Sequence, residues 1–455
     1  MGERGAGLQA TESKSLHFFS AMLFYARNIC SHLSHRTRRP GASIQFAASI
    51  SSLKVAWRKD RKLDQAIEND KRWRLCARVV REVLNEPCQV IPLRYLERRR
   101  ERLRLRVRVT TFLAQNPGLF DTYMDRIRPK SDPVPFLRPS TELRQFMEQE
   151  NRIYIRNENL LVSKLCKLLM MAKDRVISAD KLLEVKREFG FPNDFLVNLV
   201  PKYPEYFRLI GSPGEGKSFL QLVSWNDDFG KSVIEQRAEE ESRLTGIRTM
   251  PAFNWKLPPG FCIKEEMREW IRDWMELPYI SPYTDVSHLG QASREMEKRT
   301  VGIFHELLSL SLYKRIPIPV LGKFGEEYRF SNAFPNFFTR HSGIFYVSLK
   351  AGIQTAMLRE AYKADELIDL DPLLEITDKF LELMAEGHKK KSEQRRLQRE
   401  MIRKDMNFIA ARSAIVDDHG DNLGAVRNCN DHGIQQRKLV LNACEAEQRI
   451  FSLPL

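Results

Sequence analysis

Nowhere in the 455 residues does an uninterrupted apolar run approach 18 side chains, so no segment is expected to cross a bilayer as a helix. Cysteine is sparse and dispersed. Cys30, Cys76, Cys88, Cys166, Cys262, Cys429 and Cys444 form no Cys-x-x-Cys pair and no Cys/His spacing of the zinc-binding kind, and they read as buried free thiols in a reducing compartment. Catalytic groupings are equally wanting. His288, His305, His341 and His388 stand isolated along the chain, and spacing assembles no nucleophile, base and orienting group. His341 reads as a helix C-cap contact or a core hydrogen bond. No metal, no cofactor and no enzymatic activity are expected.

What the chain does have is positive charge. The formal net charge is +15, and residues 1 to 108, with 24 basic and 10 acidic side chains, account for nearly all of it. The excess peaks in residues 91–123, IPLRYLERRRERLRLRVRVTTFLAQNPGLFDTY, which hold eight arginines before turning apolar. Glu97 and Glu101 cannot neutralise eight guanidinium groups. Arginine is a planar, permanently charged fork that grips phosphate and stacks on bases, so this block points to RNA. The candidate phosphate contacts are Arg94, Arg98, Arg99, Arg100, Arg102, Arg104, Arg106 and Arg108, joined by Lys71, Arg72, Arg74 and Arg78 on the preceding helix. The competing reading is a solvated helix face laced with i,i+4 ion pairs. Trp57, Trp73, Trp225, Trp255, Trp270 and Trp274 offer rings for base stacking, but their spacing favours core positions. At 42% hydrophobic and 10% aromatic, the chain has enough apolar surface to bury sizeable cores.

Acidic residues are missing altogether from Ser13 to Lys59, while Arg27, Arg36, Arg38 and Arg39 are spread among serines and apolar residues. Residues 1–57 therefore have the composition of an organelle transit peptide, against the alternative of a basic tail that binds RNA. Glu3 and Glu12 sit ahead of that stretch, and a start at Met22 would give the more typical presequence MLFYARNICSHLSHRTRRP. Its arginines favour the mitochondrion, with the chloroplast as the alternative.

Three stretches repeat one grammar. Each starts with an isoleucine at a helix entrance, at Ile91, Ile177 and Ile318. Each ends about 30 residues later with an apolar pair, Phe112-Leu113, Leu199-Val200 or Phe337-Phe338, followed by Phe120, Phe207 or Phe345. The physical reading is helix, turn, helix and short strand. In the second copy Ser178 can cap the first helix, Gly190 and Pro192 end it, and Asn193 or Asp194 starts the next. Residues 206–210 are then expected to pair with 219–225 as a hairpin. The fold class is mainly α with short β-hairpins (α+β), built from three degenerate helix-turn-helix-strand, winged-helix-like units. Leu103 to Val109 alternate with period two, yet the repeat places a turn and the start of a second helix there. Asn226 or Asp227 is expected to cap a polar helix running to Leu244, which makes Asp227-Asp228 a helix start rather than a catalytic dyad. Residues 387–455 are expected to form a basic tail without fixed structure, at most a solvated helix.

Gly211-Ser-Pro-Gly-Glu-Gly-Lys217-Ser218 matches the P-loop pattern GxxxxGK[ST]. A P-loop needs a following helix whose N-terminus faces the phosphates, whereas Phe219 to Trp225 alternate as a strand, so a flexible hairpin wing is the better reading.

The segments from Lys59 to Asp64, Pro92-Leu-Arg-Tyr-Leu-Glu-Arg-Arg-Arg100, Asn116-Pro-Gly-Leu-Phe120, Lys167 to Met171, Gly190 to Phe195, Tyr203 to Phe207, Leu222 to Trp225, Leu277 to Tyr283 and His341 to Ser348, in that order, resemble the plant organelle RNA recognition domain. The resemblance covers about residues 59 to 385 and frames a domain at 58–386. It implies an RNA-binding protein of mitochondria or chloroplasts that assists splicing of group II introns, alongside other splicing factors and away from membranes. Two rival functions are a P-loop nucleotide-dependent remodelling enzyme and a protein-docking adaptor of an organellar ribonucleoprotein.

Overall fold

The computed structural model describes residues 59–211, 218–257, 263–290 and 292–418. The expected transit segment 1–57 and Lys217 lie outside the described residues.

Helices Lys71–Leu84, Glu158–Met171 and Arg294–Leu310 each lead into one of three units of identical element order. Unit one follows with strand Ile91–Pro92, helices Leu93–Arg98 and Val109–Gln115, and strands Phe120–Asp125 and Val134–Pro139. Unit two has strand Val176–Ser178, helices Ala179–Phe189 and Phe195–Asn198, and strands Phe207–Ile210 and Phe219–Leu222. Unit three has strand Arg315–Pro317, helices Ile318–Gly322 and Pro335–Arg340, and strands Phe345–Ser348 and Thr355–Leu358. In each unit the last strand lies between the other two, antiparallel to both. This order gives the central strand backbone partners on both edges. It also sets an isoleucine of the first strand opposite a fully buried residue of the last, in the pairs Ile91↔Leu137, Ile177↔Leu220 and Ile316↔Ala356.

The expected α+β class with short antiparallel sheets holds. Phe120, Phe207 and Phe345 each open the second strand of their unit. In the third copy, however, the isoleucine equivalent to Ile91 and Ile177 is Ile316, because Ile318 is already the first helical residue. Within unit two Gly190 ends its helix at φ +84°, as expected of a left-handed cap. Ser178 stands at the N-cap but makes no capping bond, since it is already paired with Phe219 in the sheet. The period-two stretch does turn. Arg104 adopts φ +54°, and the Leu103 and Leu105 amides donate to Arg99 and Arg100 carbonyls at 3.0 Å, which sends both leucines into the core without any strand partner.

One expectation is corrected. The polar helix is Val233–Thr245, capped by Ser232, whose hydroxyl and backbone N–H exchange hydrogen bonds with Glu235 in a complete capping box. Asp227 accepts from the Trp225 indole instead, in the turn before it. The described part of the basic segment is a largely exposed helix, the solvated-helix form of the expected tail, and it continues one helix, Glu375–Asp418, that begins before the expected 386/387 boundary. Its anchor explains the Asn-Pro-Gly-Leu-Phe motif. A Cβ at Gly387 would come within 2.0 Å of the Pro117 carbonyl oxygen, and Gly118, at φ +89°, lies directly beneath it. The helix therefore rests on the Pro-Gly turn of unit one, where Leu383 and Met384 join Leu96, Phe112 and Leu137 in the core.

The leading helices of units two and three are buried around most of their circumference, charged side chains included. Lys164 pairs with Asp371 away from water. Glu306 accepts from the Tyr283 hydroxyl and the Val233 N–H, both at 2.8 Å, and from Lys167 at 3.4 Å. These contacts tie units two and three to the capped helix and its neighbouring loop.

Candidate nucleic-acid interface

The twelve candidate cations of unit one separate into two groups. In the first, the charge is used within the protein. Arg99 reaches Glu82 at 2.8 Å and also Glu86, and Arg102 shares Glu82. Glu82 lies in the last turn of the leading helix and Glu86 just beyond its end, so these arginines fasten the turn after helix Leu93–Arg98 to that end of the helix. Arg100 pairs with Glu97 at 3.5 Å, while the other oxygen of Glu97 accepts the Val109 N–H at the start of the second helix. Arg78 donates to the Leu103 carbonyl at 2.9 Å. Arg74 pairs with Asp70 at 3.5 Å and lies over the Trp73 and Tyr313 rings. Arg72 meets His388 of the long helix at 2.7 Å, and Lys71 meets Glu68 at 3.6 Å.

The second group is Arg94, Arg98, Arg104, Arg106 and Arg108. All five are exposed, and among the described residues none has a carboxylate partner. The left-handed turn at Arg104 creates this arrangement, because burying Leu103, Leu105 and Val109 leaves the intervening arginines facing water.

Sequence reasoning missed the aromatic partners. The guanidinium carbons of Arg94 and Arg98 lie 5.1 and 5.7 Å from the centroid of the Tyr95 ring. The hydrogen bond from Arg94 and the charges of Arg94, Arg98 and Arg128 lower the pKa of the Tyr95 hydroxyl. Arg128 belongs to the exposed loop between the hairpin strands, which also carries Arg126 and Lys130. On that hairpin Tyr123 stacks on Phe136 at 5.8 Å, with Arg138 5.4 Å from the Tyr123 centroid. Arg138 also pairs with Asp121 at 3.7 Å, whereas the arginines beside Tyr95 have no carboxylate partner among the described residues. Rings interleaved with such cations can bind phosphate and stack on bases together. The signal was present in the alternation of Arg94-Tyr95 and Arg98, and in Arg126-x-Arg128-x-Lys130.

Other features take structural positions. Phe219–Leu222 is the central strand of unit two's sheet, so no helix follows the GxxxxGK[ST] loop. Cys76 and Cys166 are buried as expected, but Cys88 is exposed. Trp255, Trp270 and Trp274 pack around His341, whose Nδ1 lies 2.9 Å from the Phe337 carbonyl and whose pKa burial lowers to about 3. The fold does bring Ser309, His305 and Glu360 together, at 3.4 and 2.7 Å. His305 is 1% exposed and Glu360 is also held by Arg237, so this chain of contacts fastens the leading helix of unit three to the turn after strand Thr355–Leu358. Among the described residues no group of three His, Cys, Asp or Glu side chains is placed to hold a metal ion, and no helix is long and apolar enough to cross a membrane.

The exposed arginines of unit one and the rings beside them have the chemistry of a nucleic-acid-binding surface. The family model of the plant organelle RNA recognition domain matches residues 58–389, and the chain belongs to this family. It is 34% identical over 367 residues to the chloroplastic WHAT'S THIS FACTOR 1 homolog of Oryza sativa subsp. japonica, covering 77% of this chain and 69% of that one. From Arabidopsis thaliana, ROOT PRIMORDIUM DEFECTIVE 1 is 28% identical over 68% of this chain and 78% of its own length. The mitochondrial WHAT'S THIS FACTOR 9 of the same plant is 28% identical over 66% and 77%. No solved structure matches the chain. Membership places the chain among organellar RNA-recognition proteins, and its named relatives come from both organelles.

Proposed function

We propose that this protein is a non-catalytic RNA-binding factor of the mitochondrion that holds group II intron RNA in a splicing-competent shape, together with other splicing factors. The observation that carries the reading is the set of unpaired cations, Arg94, Arg98, Arg104, Arg106 and Arg108, beside Tyr95 and the basic hairpin loop. Each unit reads as winged-helix-like, from its helix, strand, helix, helix, strand, strand order and its central last strand, with the hairpin of unit one as the wing that joins the interface. Phosphate contacts from such a surface supply affinity that falls steeply with salt, whereas selection among RNAs needs contact with shape or with unstacked bases. The arginine-rich, acid-free stretch near Met22 favours the mitochondrion.

The RNAs recovered with the tagged protein from isolated mitochondria test ligand and compartment together. Enrichment of group II intron RNA is expected. Recovery from plastids instead would move the protein to the other organelle, and recovery without any RNA would favour the adaptor function. A reporter fused to residues 22–58 should likewise enter mitochondria.

A further inference from the structure

A cavity of about 850 Å³ opens where the three units and the long helix meet. Its wall draws on the leading helix of unit one, on helix Thr141–Arg156, on the turn after helix Ala179–Phe189, and on Tyr313 and Ile353 of unit three. That volume lies within the range of small-molecule sites. Trp73, Tyr154 and Tyr313 present aromatic surface to it.

Charges of both signs line this space. Glu150 shares a hydrogen bond with Tyr154 and feels the charge of Arg81, and Glu188 feels Arg74 and Arg187, yet Arg81, Arg187, Glu150 and Glu188 close no ion pair among the described residues. Burial, followed by the neighbouring charges of Arg81 and Arg78, lowers the pKa of Arg187 to about 10, and burial raises the carboxyls of Glu150 and Glu188. Partly desolvated charges that close no direct ion pair are unfavourable until a guest satisfies both signs. A purely anionic guest would meet the glutamates, and an apolar one would leave all four charges unpaired. A nucleotide has the required combination, with an anionic phosphate, a flat ring for aromatic walls and N–H donors on its edge.

We propose that this cavity receives one unpaired nucleotide of the bound RNA, with its phosphate at Arg81 and Arg187, its base along the aromatic walls and its N–H edge on Glu150 and Glu188. The assignment rests on the RNA-binding function proposed above and adds the selective contact that the exposed arginines lack. Guanine fits best, because its imino and amino N–H groups together suit one carboxylate. Uracil offers one N–H flanked by two carbonyl oxygens that would face the glutamates.

The test is fluorescence anisotropy with a ten-nucleotide uracil tract and the same tract carrying one central guanine. The full-length protein is expected to bind the guanine-containing strand at least about tenfold more tightly. The E150Q/E188Q double variant should bind both strands alike, with the salt dependence of the unaltered protein. Equal binding of the two strands by the unaltered protein, a measurement independent of how any variant folds, would overturn the pocket while leaving RNA binding intact. Discrimination that survives in the double variant would also overturn it, because the selective contact would then lie elsewhere. Failure to bind either strand would remove the RNA-binding function and this proposal together.

Discussion

On unit one, Arg104, Arg106 and Arg108 leave a single turn towards water and meet no carboxylate among the described residues, whereas unit three, with the same element order, turns several of its cations inward. Lys298, 3% exposed, donates to the Trp274 and Met275 carbonyls at 3.1 Å and to Leu277, closing the end of helix Glu265–Glu276. Arg299 donates to the Pro282 carbonyl at 2.9 Å, Arg340 pairs with Glu297 at 2.8 Å, and Arg359 donates to the Ser342 carbonyl at 2.7 Å. Basic residues thus serve as mortar in unit three and as free surface in unit one. A count of lysines and arginines cannot separate the two roles. The location of their acceptors does.

If that division is right, the two units should fail in different ways. The largest effect is expected in mild acid. His341 has its folded pKa lowered to about 3 from 6.5, so its contribution to stability is complete above about pH 6.5 and is lost as the pH falls towards 3, when the unfolded chain binds the proton more readily. The shift corresponds to about 5 kcal/mol. Thermal melts should fall steeply over that range, and H341F should flatten the dependence. A profile unchanged by the substitution would remove unit three's buried histidine from the account.

Lys298→Met comes next, with an expected loss of about 2–3 kcal/mol in chemical denaturation as the carbonyls it satisfied are left unpaired in the core. RNA affinity, measured where the variant is still folded, should not change. A loss of affinity at full folding would break the division between mortar and surface.

Arg104→Gln with Arg106→Gln should do the reverse. Stability should stay within about 0.5 kcal/mol, while the slope of log affinity against log salt should shrink by roughly 0.7 for each lost contact on single-stranded RNA. The smallest effect is expected of Lys217→Ala, which should leave RNA binding nearly intact. Magnesium-dependent ATP binding abolished by that substitution would instead promote the nucleotide-dependent function.

Much of the scaffold could be read from local pattern and from the threefold repeat. The glycine that ends helix Ala179–Phe189 depends on neighbours a few residues away, whereas the three phenylalanines that open strands and the turn within the period-two stretch follow from the repeat, since the alternation of Leu103 to Val109 alone reads as a strand. Ser232 with Glu235 also spelled a capping box, which marks the helix start better than the Asx residues upstream. The allocation of arginines was not legible, because Glu82 and Glu86 capture Arg99 and Arg102 across a loop whose closure only the fold supplies. Nor was the resting place of the long helix, where Gly387 meets a turn some 270 residues earlier. The central cavity draws residues from Trp73 to Phe380, a separation that no periodicity encodes.

The salt dependence of two variants measured side by side tests the central claim most directly. Replacing Arg94, Arg98, Arg104, Arg106 and Arg108 together by glutamine should weaken binding to many RNAs alike and flatten the log–log salt slope by about 3.5, with the fold intact. Replacing Arg99 and Arg102 should lower the melting temperature and leave the slope unchanged in the folded protein, because their charges are already satisfied by Glu82 and Glu86. An unaltered slope in a well-folded five-arginine variant, or a flattened slope in the Arg99 and Arg102 variant, would contradict the account.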